Sequence, residues 1–174
     1  MEASSKLPSR LRGVDLKSLT YAEADRLLQP LSDEQLLRLF DSPSIKLGDT
    51  ACGQLSRRGG YRMVIDAIHS RALKTRNGKV RAANFLSGYG RTIPETLDAL
   101  MVLAEDRNQD AVNTALLPIV MWGDATVLPK LRELYSTRRL DDYRKAVQAI
   151  ERNDHRFYSP GFSPDERWMT NAAP

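Results

Sequence analysis

Gly78-Lys79-Val80-Arg81-Ala82-Ala83-Asn84-Phe85-Leu86-Ser87-Gly88-Tyr89-Gly90 is the stretch on which the fold turns. Its small pair Ala82-Ala83 is followed one helical turn later by Leu86, and Gly90 stands four residues further, where a helix would end. The arrangement recurs at Ala51-Cys52-Leu55 before Gly59, at Ala115-Leu116-Ile119 before Gly123, and at Ala146-Val147-Ile150 before Asp154. The four alanines are 31, 33 and 31 residues apart. Self-similarity at this period predicts stacked helical units that bury one another's faces, an α-solenoid.

A second pattern precedes Ala82, Ala115 and Ala146. Ile65, Ile68 and Ala72 share one helical face, as do Leu97, Leu100 and Ala104, and then Leu128, Leu131 and Tyr135. The unit is therefore helix, turn, helix, with Asn77-Gly78 predicting the turn inside one pair. Thr20-Tyr21-Ala22-Glu23, Ser32-Asp33-Glu34-Gln35 and Thr92-Ile93-Pro94-Glu95 read as capping boxes that start helices. Pro30 and Pro43 end the first two of these, Pro94 and Pro129 suit first turns, and Pro118 should kink the helix that contains it. No alternating run predicts a strand. The expected fold is all-α, with about four helix-turn-helix repeats and about seven to nine helices. Residues 1–32 form a lead-in with a short helix, 33–154 the array, and 155–174 an aromatic tail. Phe157, Tyr158, Phe162 and Trp168 in that tail are expected to cover the last repeat near Val147 and Ile150.

Bulk composition narrows the setting. The 174 residues are 41% hydrophobic and 28% charged, as in a globular chain able to bury a core without staples. One cysteine, Cys52, excludes an internal disulfide, fits a reducing compartment, and sits in the apolar register as a small core residue. No run approaches the ~18 apolar residues of a membrane span. Met1 to Gly13 has charge without an apolar stretch, which predicts no signal peptide and a cytoplasmic location. Charge is uneven. Arg57, Arg58, Arg62, Arg71, Lys74, Arg76, Lys79 and Arg81 face Asp66 alone, so this segment is +7 and leaves −3 for the rest of a +4 chain.

The quoted stretch resembles the second helix of HEAT and HEAT-like repeats, including the short repeats named after phycobilisome lyases. There a Val-Arg pair precedes small residues, then Leu, then a closing Gly. Val80-Arg81 carries the pair, Arg144-Lys145 echoes it, and the resemblance spans roughly residues 33 to 154. It implies a concave face lined by second helices, and on that face Gln54, Arg57, Arg58, Arg81, Asn84, Arg144, Lys145 and Gln148. Arg71, Lys74, Arg76 and Lys79 fall at or near the interhelical turn, as a basic rim. HEAT arrays act as scaffolds, adaptors, inhibitors and nucleic-acid binders, and occasionally as enzymes, so the fold does not choose among functions.

Chemical motifs are few. His69, His155 and one cysteine cannot build a metal cluster of conventional spacing, and no metal or cofactor is expected. There is no Gly-x-Ser-x-Gly elbow, Walker loop or Gly-x-Gly-x-x-Gly fingerprint, and Gly88-Tyr89-Gly90 reads as a helix end. Trp122, Trp168, Met101 and Met121 read as core or cap residues. The basic segment is either a solvated face whose long stems pack on helices or a surface for an anionic partner. The leading expectation is a protein-binding module, an adaptor or an inhibitor of immunity-protein type, whose partner is acidic at the contact. A nucleic-acid-binding solenoid, like the HEAT-like alkylpurine-DNA glycosylases, and a bilin-lyase-like enzyme are the alternatives.

Overall fold

Start signals in the sequence place the first two helices. In the computed structural model, which describes residues 11, 18–89 and 93–158, Thr20 caps α1 (Tyr21–Leu28) and Ser32 caps α2 (Asp33–Arg38). Each box is closed in both directions: the hydroxyl accepts from the backbone of Glu23 or Gln35, and that side chain accepts from the cap. A 3-10 turn at Leu39–Asp41 leads to α3 (Ile45–Arg57), then α4 (Tyr61–His69) and α5 (Arg76–Ser87). After these come α6 (Pro94–Ala104), α7 (Gln109–Trp122), a 3-10 turn at Ala125–Val127, α8 (Leu128–Arg138), α9 (Asp141–Glu151) and a last turn at His155–Phe157. The described residues are all-α, without a strand.

The register alanines sit where the repeat predicts. Ala51, Ala82, Ala115 and Ala146, on α3, α5, α7 and α9, are each 0% exposed. Leu55, Leu86, Ile119 and Ile150, one turn on, are buried too. Gly59 and Gly123 take left-handed backbone (φ 74° and 62°) just past α3 and α7, and Asn153 does so (φ 50°) beside the expected Asp154. Gly90 lies outside the described residues.

Two compact units divide the chain, residues 1–85 and 86–174. In the first, α1 and α2 pack on α3 around Leu11, Leu19, Leu28, Leu36 and Leu47, while the Phe40 ring lies 5.9 Å from that of Phe85. In the second, α6 packs on α7, and α9 on both α7 and α8. Its fully buried side chains include Leu100, Leu116, Ile119, Leu131 and Tyr143. The Tyr143 hydroxyl donates to the Ala104 carbonyl at 2.6 Å.

Several sequence expectations change. Asn77-Gly78 is not a turn: both residues lie inside α5, and the chain turns before Thr75, with Arg71 at φ 54°. The Thr75 hydroxyl accepts from Gly78 N at 3.0 Å, so Thr75 is the residue that starts α5. Gly78 is small because Asp41 lies against it; a Cβ there would stand 2.0 Å from Asp41 Oδ1. Ala72 is exposed, and Leu73 is buried in its stead. Ile93 precedes α6 without a side-chain capping bond, and Thr92 lies outside the described residues. Pro94 and Pro129 occupy first turns, while α7 continues through the buried Pro118 to Trp122. Of the tail aromatics, Phe157 is 38% exposed beneath the Arg152 guanidinium, and the Tyr158 hydroxyl donates to Asn113 O on α7. Phe162 and Trp168 lie outside the described residues. Among the described residues, no helix is long and apolar enough to cross a membrane.

Candidate functional site

The expected concave arginines are not gathered into a free surface. Arg81 is 8% exposed. Its guanidinium donates to the carbonyls of Phe40 (2.8 Å), Ser42 (2.7 Å) and Ser44 (3.2 Å), and through Nε to Asp49 (3.0 Å). Those carbonyls belong to the segment between α2 and α3; Ser44 O also accepts from Gly48 N at the start of α3, and Arg81 supplies the donors for Phe40 O and Ser42 O. Room for the fork comes from Gly48, since a Cβ on α3 at that position would lie 2.0 Å from Arg81 Cζ. A planar cation with a fixed array of donors suits this cluster of oxygens, and Lys would not replace it. Arg81 is thus a bolt through the first unit and offers no face to a partner.

Arg58 performs a similar service at the turn between α1 and α2. It donates to Leu31 O (2.7 Å), Gln29 O (2.8 Å) and Asp33 (3.0 Å). Arg57 pairs with Asp25 at 2.6 Å, and the buried Gln54 donates to the Asp25 carbonyl, also at 2.6 Å. Bonds from Gln54, then Arg57, hold the Asp25 carboxyl below its usual range. These side chains turn back onto their own unit.

The rim differs. Arg71, Lys74 and Arg76 are exposed, Lys79 is half-buried, and no carboxylate occurs from residue 71 to residue 79. The Lys74 ammonium donates to Arg71 O at 2.6 Å, and the first turn of α5 carries no acidic residue. Cations at a helix start oppose the dipole. Asp41 offsets this from across the unit, accepting from Lys74 N (3.1 Å), Thr75 N (2.9 Å) and the Thr75 hydroxyl (2.8 Å). One carboxylate therefore sits at the start of α5. Asn84 is exposed further along the same helix.

In the second unit the predicted residues have a different setting. Arg144 and Lys145 both pair with Asp141 of their own helix, at 2.6 and 3.2 Å, and Gln148 is half-buried on α9. The unit also carries a groove of about 650 Å³ between the start of α6 and the end of α7. Ile93, Pro94, Leu97, Asp98, Trp122, Gly123, Asp124 and Ala125 line it. The sequence reads Trp122 as a core or cap residue and does not single out Asp98; a Trp-Gly helix end followed by an acidic capping residue was the available signal.

Reactive chemistry is sparse. Burial pushes the Cys52 thiol up to about 12, so it stays protonated and a poor nucleophile at neutral pH. His69 is exposed at the end of α4, and among the described residues no His, Cys, Asp and Glu group could hold a metal ion. Comparison with family models, with curated proteins and with solved structures gave no match to this chain.

Proposed function

We propose that this chain is a small HEAT-like repeat module that binds an acidic segment of another protein through the rim Arg71, Lys74, Arg76 and Lys79. The observation that carries the reading is the run of charge: residues 71 to 79 carry four cations and no carboxylate in sequence, Arg71, Lys74 and Arg76 are exposed, and Asp41, which reaches this turn from elsewhere, accepts from Lys74 N, Thr75 N and the Thr75 hydroxyl. Such a field steers an acidic partner and raises its association rate. The repeat reading draws support from the buried register alanines and from polar contacts that recur near the repeat period. Asp25–Arg57 and Asp49–Arg81 are both 32 residues apart, Gln109–Asp142 is 33 apart, and Asp41–Thr75 is 34 apart. A cytoplasmic adaptor or inhibitor is the role that suits such a module, with Cys52 kept reduced.

Protein is preferred to nucleic acid because duplex binding commonly uses about 6–10 phosphate contacts, and the rim supplies four cations. The test is fluorescence anisotropy of an acidic peptide (Glu-rich, capped) and of a random duplex, each titrated with the full chain at rising salt. The peptide should bind, weaken with salt, and be lost in Arg71→Glu/Lys74→Glu/Arg76→Glu/Lys79→Glu while the circular dichroism spectrum is kept. Unchanged peptide binding by that variant would overturn the reading. So would a duplex that binds more tightly than the peptide with a steep salt slope; the chain would then belong with nucleic-acid-binding solenoids.

A further inference from the structure

We propose that the groove between the start of α6 and the end of α7 seats an arginine or lysine side chain from a basic peptide segment of a partner protein. Its volume, about 650 Å³, falls in the range of ligand sites, and it is open along one side, which suits a length of chain better than an enclosed small molecule. Three features select the occupant. First, the groove lies at the negative end of α7, where Gly123 turns left-handed and donates to Ile119 O and Val120 O. The last carbonyls of a helix favour a cation beyond them. Second, Asp98 stands exposed in the lining. None of the described lining residues is cationic. Third, the remaining wall is apolar: Trp122, Leu97, Ile93 and Pro94.

A charged tip on an apolar stem matches that wall. The stem lies along Leu97 and Pro94, the charge meets Asp98, and an indole face attracts guanidinium or ammonium. An anion would meet the carboxylates and the helix end with the wrong sign. A purely apolar group would desolvate Asp98 without a partner. This surface is distinct from the basic rim: it belongs to the other unit and has the opposite charge preference.

The test uses the full chain carrying Trp168→Phe, so that the Trp122 indole N–H gives the one tryptophan side-chain signal by nuclear magnetic resonance. The probes are the capped pentapeptide acetyl-Gly-Leu-Arg-Leu-Gly-amide and its citrulline counterpart, which keeps the shape and removes the charge. The arginine peptide should move the Trp122 signal and bind about tenfold more tightly than the citrulline peptide, the combined effect of one ion pair and one cation–π contact. Asp98→Asn should weaken the arginine peptide about three- to fivefold and leave citrulline binding and the unfolding midpoint unchanged. The rim charge-reversal variant should bind the arginine peptide as the parent does, so failure of the rim reading and failure of this one are separable. Equal binding of the two peptides, an Asp98→Asn variant indistinguishable from the parent, or a Trp122 signal that does not move would each overturn the proposal.

Discussion

Arg81 and Lys145 each stand directly before a register alanine, and they have opposite lives. Arg81 is buried and spans from α5 to the turn between α2 and α3, satisfying three carbonyls. Lys145 is half-exposed and reaches back four residues along its own helix to Asp141. In the second unit a buried bond between helices is made by Tyr143, whose hydroxyl donates to Ala104 O and accepts from Arg138 at 2.8 Å. The repeat thus fixes where a side chain starts and leaves its end to the neighbours. A buried cation is tolerated where carbonyls need donors and a glycine makes room; elsewhere the same position relaxes to a surface pair.

Removing the two side chains gives the largest contrast. Arg81→Ala leaves buried carbonyls and the Asp49 carboxylate without their donor, and a loss of about 3–5 kcal/mol is expected, as for breaking a buried charged network. Lys145→Ala should leave the urea midpoint where it was, because exposed pairs contribute little. Chemical denaturation of both variants checks this. Equal midpoints for the two would mean that Arg81 is not the bolt it is described to be.

Gly48 sharpens the comparison. Alone, Gly48→Ala puts a methyl group 2.0 Å from Arg81 Cζ, so the guanidinium must leave its carbonyls and stability should fall. In the Arg81→Ala background the clash is gone, and the intrinsic helix preference of alanine over glycine, about 1 kcal/mol, should make the same substitution stabilising. The reversal of sign in a double-mutant cycle is the expected outcome. Additive effects would show that Gly48 is small for another reason.

How far the sequence could be read follows from the same residues. The helices, their caps at Thr20 and Ser32, and the burial of Ala51, Ala82, Ala115 and Ala146 were legible because each depends on local spacing. Arg81 was not legible as a core residue: it closes a run of cations, and a cation run reads as a surface. What buries it is Gly48, 33 positions earlier, together with the carbonyls of Phe40, Ser42 and Ser44, which converge on its guanidinium. Asn77-Gly78 misled for a related reason. The pair carries a turn composition, yet Gly78 is needed inside α5 to admit Asp41, which arrives from a distant part of the chain. Local chemistry predicts local structure; side chains that cross between helices obey geometry that only the fold supplies. The rim was legible as charge.

The smallest expected effect lies in the second unit and isolates the surface pair. Bonds from Arg144 first, then Lys145, hold the Asp141 carboxyl below its ordinary value of 3.8. A carboxyl with a depressed pKa in the folded chain contributes stability at pH above its unfolded value, and that contribution is lost as pH falls through the lowered folded value. Because Asp141 is exposed, the contribution is small and screened by salt. Arg144→Ala should therefore raise the Asp141 titration midpoint toward 3.8, and Lys145→Ala should raise it less, following the order of the two causes. Carboxyl-carbon magnetic resonance across the acid range reads the midpoint directly. In about 0.5 M salt, where the screening length is only a few ångströms, the variants and the parent should converge. A midpoint that ignores Arg144→Ala would show that the cation beside Asp141 is not what sets it, and Lys145 would then have to be given a partner elsewhere on α9 or beyond it.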